Sequence, residues 1–229
     1  MSVNRIPDDI IWRALSGAQR ERSVGTLTAR RYAPDYSPIA AFADASTPDL
    51  AALVSFAEAS ERIYVADWTG PVPKGWSIAF ETTMLRMVWS GPSDVGDDAD
   101  DATPLSAQHA QAALELAELT RPGPFAIRTI ELGDYFGYFD NGRLIAMAGE
   151  RFFSWPFREV SGVCTHPSAQ GRGLAKRLMS KLLHLELERG EIPFLHVVTS
   201  NTVARALYER IGFEVQRELA IRVVRREPS

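Results

Sequence analysis

Chemistry-bearing residues concentrate in one run, Glu159-Val160-Ser161-Gly162-Val163-Cys164-Thr165-His166-Pro167-Ser168-Ala169-Gln170-Gly171-Arg172-Gly173-Leu174-Ala175-Lys176-Arg177. It reads as strand, glycine-containing turn and helix start. Such a junction aims backbone N–H groups at whatever lies above the turn. The helix dipole adds positive potential, so an anion is favoured there. Gly171 and Gly173 allow close backbone approach without a Cβ in the way. Two phosphate motifs fail. A dinucleotide fingerprint begun at Gly171 needs glycine where Lys176 stands, and no Gly-Lys-Ser/Thr is present. Arg172, Lys176 and Arg177 crowd the first turns of the helix, while Glu186 and Glu188 sit in its last. Both placements oppose the macrodipole, by about 0.3–1 kcal/mol each when exposed. A bound polyanion would offset the first; a solvated basic face is the plain alternative.

These residues need elements to hold them. Phe157 to Thr165 reads as a strand, residues 172–189 as a helix with Leu174, Leu178, Leu182 and Leu185 on one face, and Ile192 to Val198 as the next strand. Asn201 to Ile211 reads as a helix closed by Gly212, followed by strands Phe213–Val215 and Leu219–Val224. Upstream, Asp140-Asn141-Gly142 between two apolar runs predicts a hairpin, because a type I′ turn needs positive φ at both central residues. Residues 105–119 read as a helix ended by Arg121-Pro122-Gly123-Pro124, and Thr83 to Trp89 as a strand. Alternation puts Glu159, Ser161, Val163 and Thr165 on one face of their strand.

The first eighty residues hold helical spacing over 8–22, a helix start at Ser46–Leu50 and a strand at Arg62–Ala66. Turn chemistry over Thr69–Gly75 suggests a soft boundary. The expected organisation is an N-terminal α/β lobe over 1–80 and a second domain over 81–229. Trp12, Trp68 and Trp76 are candidate pocket walls, though aromatics so far apart are more often core.

Composition limits the function classes. The chain has 229 residues, 45% apolar and 24% charged, with a net charge of −4. That suits a soluble globular protein with a sizeable core. A weakly acidic total leaves no footprint for nucleic acid or an anionic membrane. No window approaches the ~18 consecutive apolar residues of a spanning helix. Met1 to Asp9 lacks a basic region followed by an apolar stretch, so no signal peptide is read. The lone Cys164 excludes an intramolecular disulfide framework, and the expected compartment is the cytoplasm. His109, His166, His184 and His196 show no paired ligand spacing, so no metal is expected.

Gln170-Gly171-Arg172-Gly173-Leu174-Ala175 resembles the Gln/Arg-x-x-Gly-x-Gly/Ala signature of the GNAT superfamily of acetyl-CoA-dependent N-acetyltransferases. Phe194–Val197, Asn201, Ala206-Leu207-Tyr208-Glu209 and Ile211-Gly212-Phe213 look like that family's next strand and helix. The motif-bearing resemblance covers residues 157–226, and the topology extends back to about residue 82. It implies a mixed, mostly antiparallel central sheet flanked by helices, in the α/β (α+β layered) class. It also implies acetyl-CoA as donor, its pyrophosphate held by main-chain amides of Gln170, Gly171, Arg172, Gly173, Leu174 and Ala175. Arg172 and Lys176 would add charge. The pantetheine arm would pair with the main chain of Val163, Cys164 and Thr165, and Asn201 would contact that arm. Tyr208 matches the tyrosine that protonates the departing thiolate. The attacking amine must lose a proton, usually to a carboxylate. Glu159, eleven residues before Gln170, resembles the catalytic glutamate of the histone-acetyltransferase branch, with Glu150 a rival.

The expected activity is acetyl transfer to a primary amine of a small molecule or peptide by direct attack in a ternary complex. The alternatives are another acyl group, a hydroxyl acceptor, or a CoA-binding regulator without turnover. An acetyl-Cys164 intermediate with His166 or His196 as base is a further reading. Asp94, Asp97, Asp98, Asp100 and Asp101 are either a solvated loop or a rim for cationic acceptors. A homodimer is a family-level expectation.

Overall fold

The computed structural model describes residues 5–227; the ends of both expected domains, residues 1–4 and 228–229, and with them Met1 to Asn4 of the signal-peptide reading, lie outside the described residues. The chain forms α1 (Ile10–Ser16), β1 (Ser23–Gly25), β2 (Ala29–Tyr32), β3 (Ile39–Phe42), β4 (Arg62–Ala66), β5 (Trp76–Trp89) and β6 (Thr103–Pro104). There follow α2 (Ala110–Thr120), β7 (Tyr135–Asp140), β8 (Arg143–Ser154), β9 (Phe157–Thr165), α3 (Leu174–Glu188), β10 (Ile192–Val198), α4 (Thr202–Ile211) and β11 (Phe213–Arg226). All strands join one sheet in the order β1-β2-β3-β4-β11-β5-β10-β9-β8-β7-β6. Only β3–β4 and β9–β10 pair in parallel.

Sequence alternation assigns the two faces. Met87, Val160, Leu195 and Val197 pack beneath α3 through Leu178, Met179 and Leu182, and Tyr208 of α4 joins this core. Their chain neighbours point the other way. Val88, Phe152 and Phe194 meet Ile10, Ala14 and Leu15 of α1, and Tyr135, Met147 and Cys164 meet α2. The hairpin turn forms as its residues require, with φ of +49° at Asn141 and +79° at Gly142.

Several elements differ from the sequence reading. Gly17 stops α1 after seven residues, and a short 3-10 turn over Arg20–Arg22 replaces the rest of the expected 8–22 helix. The segment after Asp49 is a 3-10 helix, Leu50–Phe56, with the Asp49 carboxylate accepting from the Ala52 N–H. The two expected final strands are one, β11, with a register shift between Val215 and Arg217 against β5. The boundary expected at 80/81 falls inside β5. The first four strands continue the same sheet through β4 and β11.

Candidate active site

β9 and β10 pair only at Phe157–Glu159 and Ile192–Phe194. Beyond that fork β10 stays on β5 and β9 stays on β8. The edge of β9 from Val163 to Thr165 therefore has no strand partner on the β10 side. A β-bulge lies in this stretch: Gly149 and Met147 oppose Ser161 and Cys164, so β9 holds one extra residue there. Gly162 sits in it with φ of +63°. The extra residue reverses the alternation. Glu159 and Cys164 share the α1/α2 face, while Val163 turns to the α3 face, so the expected common face of Glu159, Ser161, Val163 and Thr165 is corrected beyond Ser161.

The turn after β9 fits an anion. Gly171 and Gly173 have φ of +77° and +76°, and a Cβ on either would meet nothing within 4 Å. No side chain caps the N-terminus of α3. Its first N–H groups thus face open space with the helix dipole behind them. Arg172 and Lys176 are exposed, Arg172 reaching only the Ser168 carbonyl at 3.2 Å. Arg177 is committed elsewhere, to the Asp98 carbonyl and the Asp101 carboxylate. Lys181 holds Asp97 at 2.5 Å. The aspartate run thus faces the basic side of α3, which engages the carboxylates of Asp97 and Asp101 and leaves fewer acids for a rim that would attract cationic acceptors.

Tyr208 of α4 packs against Phe213 in the α3-face core that Val163 joins and is 8% exposed. Burial pushes its hydroxyl up to about 12, so it carries its proton at neutral pH. Asn201 caps α4, its side-chain oxygen accepting from the Ala204 N–H at 3.1 Å. Its Nδ2 donates to nothing among the described residues and is left for a ligand.

Glu159 is 0% exposed. Arg151 grips it through two bonds of 2.8 Å, and His196 Nδ1 lies 2.7 Å from its Oε1. Burial opposes its ionisation, but the Arg151 charge and hydrogen bonds, with His196, outweigh burial and hold it near 2. A carboxylate so held is a poor proton acceptor, which weighs against Glu159 as the general base. His196 Nε2 accepts from Arg86 at 3.1 Å, and burial lowers the basicity of the ring. Arg86 in turn donates to the Pro7 carbonyl at 3.0 Å, so the N-terminal segment closes over this network. Glu150 faces the opposite side of the sheet, with Arg189 and the Asp134 N–H on its two oxygens and Arg158 at 3.6 Å. It too is engaged.

The covalent reading of Cys164 finds no support. The thiol is buried and pushed up to about 11, chiefly by burial. His166 is tied to Ser168 and His196 to Glu159, so neither serves it as base. Trp68 and Trp76 lie in the core with Leu50, Leu53 and Val224, and Trp12 borders a surface pocket, beside Asp8, Asp67 and Arg86. Among the described residues no group of three His, Cys, Asp or Glu side chains is placed to hold a metal ion, and no helix is long and apolar enough to cross a membrane.

A forked sheet with an uncapped, glycine-lined turn on one prong is a site shaped for an anion-bearing extended ligand. Comparison with known proteins narrows the class. The model of the FR47-like protein family matches residues 135–223. The N-alpha-acetyltransferase RimI of Mycobacterium tuberculosis is 37% identical over 83 residues, 35% of this chain and 51% of that protein, so the match spans about half of the curated relative. A GNAT-family structure from Novosphingobium aromaticivorans superposes with a TM-score of 0.87 at 35% identity, over 96% of this chain and 98% of the other. A GCN5-related N-acetyltransferase from Kribbella flavida shares the fold, with a TM-score of 0.63 at 15% identity over 98% and 97% of the two chains. The chain belongs to the GNAT superfamily of acetyl-CoA-dependent N-acetyltransferases.

Proposed function

We propose that this protein moves an acetyl group from acetyl-CoA to a primary amine by direct attack in a ternary complex. The observation that carries the reading is the uncapped α3 N-terminus above Gly171 and Gly173, opening beside a strand parted from its parallel neighbour. It supports a pyrophosphate on the amides of Gln170 to Ala175, with Arg172 and Lys176 adding charge. The open edge of Val163, Cys164 and Thr165 suits the amides of the pantetheine arm, as an added strand would. The free Nδ2 of Asn201 suits a contact to the same arm. Tyr208, neutral and in the core that Val163 joins, gives its proton to the leaving thiolate. Because Glu159 and Glu150 are both engaged, the acceptor enters as the free amine and its proton passes to water.

The curated relative is named for transfer to an α-amine, which makes a protein or peptide N-terminus the acceptor class favoured here. The lone buried cysteine and the absence of a spanning helix among the described residues support a cytoplasmic setting. The locked carboxylates favour one alternative, a CoA-binding regulator without turnover.

The test mixes the protein with acetyl-CoA and a short peptide bearing a free α-amine, with spermidine in parallel. Released thiol and acetylated product are measured. Equimolar thiol and product are expected, with Tyr208→Phe slower by about 100-fold and binding acetyl-CoA as before. Binding without product from any amine would favour the regulator.

A further inference from the structure

We infer that the Tyr135 hydroxyl is the hydrogen-bond donor to the acetyl carbonyl oxygen. The inference rests on the acetyl-transfer reading above and adds a residue that no motif marks.

Tyr135 lies on β7 with its ring laid across β8 and β9. A Cβ on Gly149 would come within 2.2 Å of the ring, and one on Gly162 within 3.0 Å of Cε1 and 3.1 Å of the hydroxyl. Two glycines on successive strands thus hollow the seat for this ring. The residue is 2% exposed, and its hydroxyl is buried with no hydrogen-bond partner among the described residues. Burial raises its pKa, so the group stays an O–H donor at neutral pH. A buried donor without an acceptor is costly and calls for one from outside the chain.

Position says which acceptor. The hydroxyl ends over the β9 bulge at Gly162, between the fork at Glu159 and the open edge at Val163 to Thr165. An arm running from the Gln170–Ala175 turn along that edge brings its acyl end to Gly162. Tyr208 packs in the α3-face core that Val163 joins, and Tyr135 in the α2-face core that holds Cys164, so the two rings flank this stretch of β9 from opposite faces of the sheet. Tyr208 then serves the sulfur and Tyr135 the oxygen. The one lone pair of the free amine must point at the acetyl carbon to attack and is not spent on the O–H, whereas the carbonyl oxygen has acceptor lone pairs to spare.

In the step, the amine nitrogen bonds to the acetyl carbon and the carbonyl electrons move onto oxygen, where the hydrogen bond donated by the Tyr135 hydroxyl strengthens. The electrons return, the C–S bond breaks, and the thiolate takes the Tyr208 proton. The amine proton leaves to water, and water restores Tyr208. A donor aimed where charge develops stabilises the transition state more than the bound substrate.

The test is infrared spectroscopy of bound acetyl-CoA labelled with carbon-13 at the carbonyl, on wild type and Tyr135→Phe, with peptide acetylation measured alongside. The carbonyl band should lie lower in wild type than in the variant. Tyr135→Phe should retain acetyl-CoA affinity, keep or raise its Tm, and lose about 100-fold in kcat with little change in KM. An unmoved band with bound acetyl-CoA overturns the role of Tyr135 alone. No binding to wild type overturns the acetyl-CoA reading and this inference together. Should the Phe variant fail to fold, 3-fluorotyrosine placed at position 135 is the stronger donor and must lower the band further; an unmoved band there overturns the inference as well.

Discussion

Glu159 commits both of its oxygens to partners within the fold, and Arg151 is nearly as buried as it is. Replacing Glu159 by Gln leaves that guanidinium without its counter-charge, a loss of about 3–5 kcal/mol. The Glu159 pKa is depressed from 4.5 to about 2, so its contribution is full above about 4.5 and fades as pH falls toward 2. The Tm gap between wild type and Glu159→Gln should close over that window, while the pH–rate profile keeps its shape; a lost limb in that profile would restore Glu159 as the base. Glu186 has the opposite sign. It is fully buried, both oxygens lack partners among the described residues, and burial with Glu150 and Glu191 nearby raises its pKa well above 4.5. It folds protonated, so its stabilising share is whole below about 4.5 and is lost as pH rises toward the raised value. Glu186→Gln should therefore raise the Tm at pH 8 more than at pH 4. Equal shifts at both would contradict this.

The β9 bulge decides which side chains meet. Without its extra residue Cys164 would leave the α2 core and the seat for Tyr135 would close. Gly162→Ala meets both a left-handed φ, worth about 1–2 kcal/mol, and the Tyr135 ring, and thermal unfolding should show at least that loss. The sequence makes the anion-binding junction, the Asn141-Gly142 hairpin and the helices α3 and α4 legible, because each rests on local chemistry: glycine φ, capping and 3.6-residue periodicity. The bulge leaves one signal in the sequence, a glycine inside a strand pattern, and unbroken alternation through Gly162 predicts the wrong face beyond it. The pairing of Glu159 with Arg151 and His196 joins residues 8 and 37 positions apart, and only the packed sheet brings them together. Tyr135 carries no motif at all; its seat is made by glycines on two other strands.

Residues 5–80 act as part of the whole sheet. They cover the face that holds Val88, Phe152 and Phe194, and they supply the Pro7 carbonyl to Arg86, itself 0% exposed. Removing residues 5–75 should abolish cooperative unfolding followed by circular dichroism, since that apolar face and Arg86 would both meet water. A separate fold for residues 76–227 would show the two parts to be independent. The account as a whole depends on where the donor sits. The most direct measurement is thermal unfolding with acetyl-CoA, CoA or ATP, on wild type and Gly173→Trp. At about a hundred times its Kd a ligand adds about 2.7 kcal/mol, a rise of several degrees. A rise with both CoA species, absent with ATP and lost in Gly173→Trp, is the expected result. No rise at saturating acetyl-CoA, or an equal rise in the variant, would contradict a donor held on the Gln170–Ala175 turn.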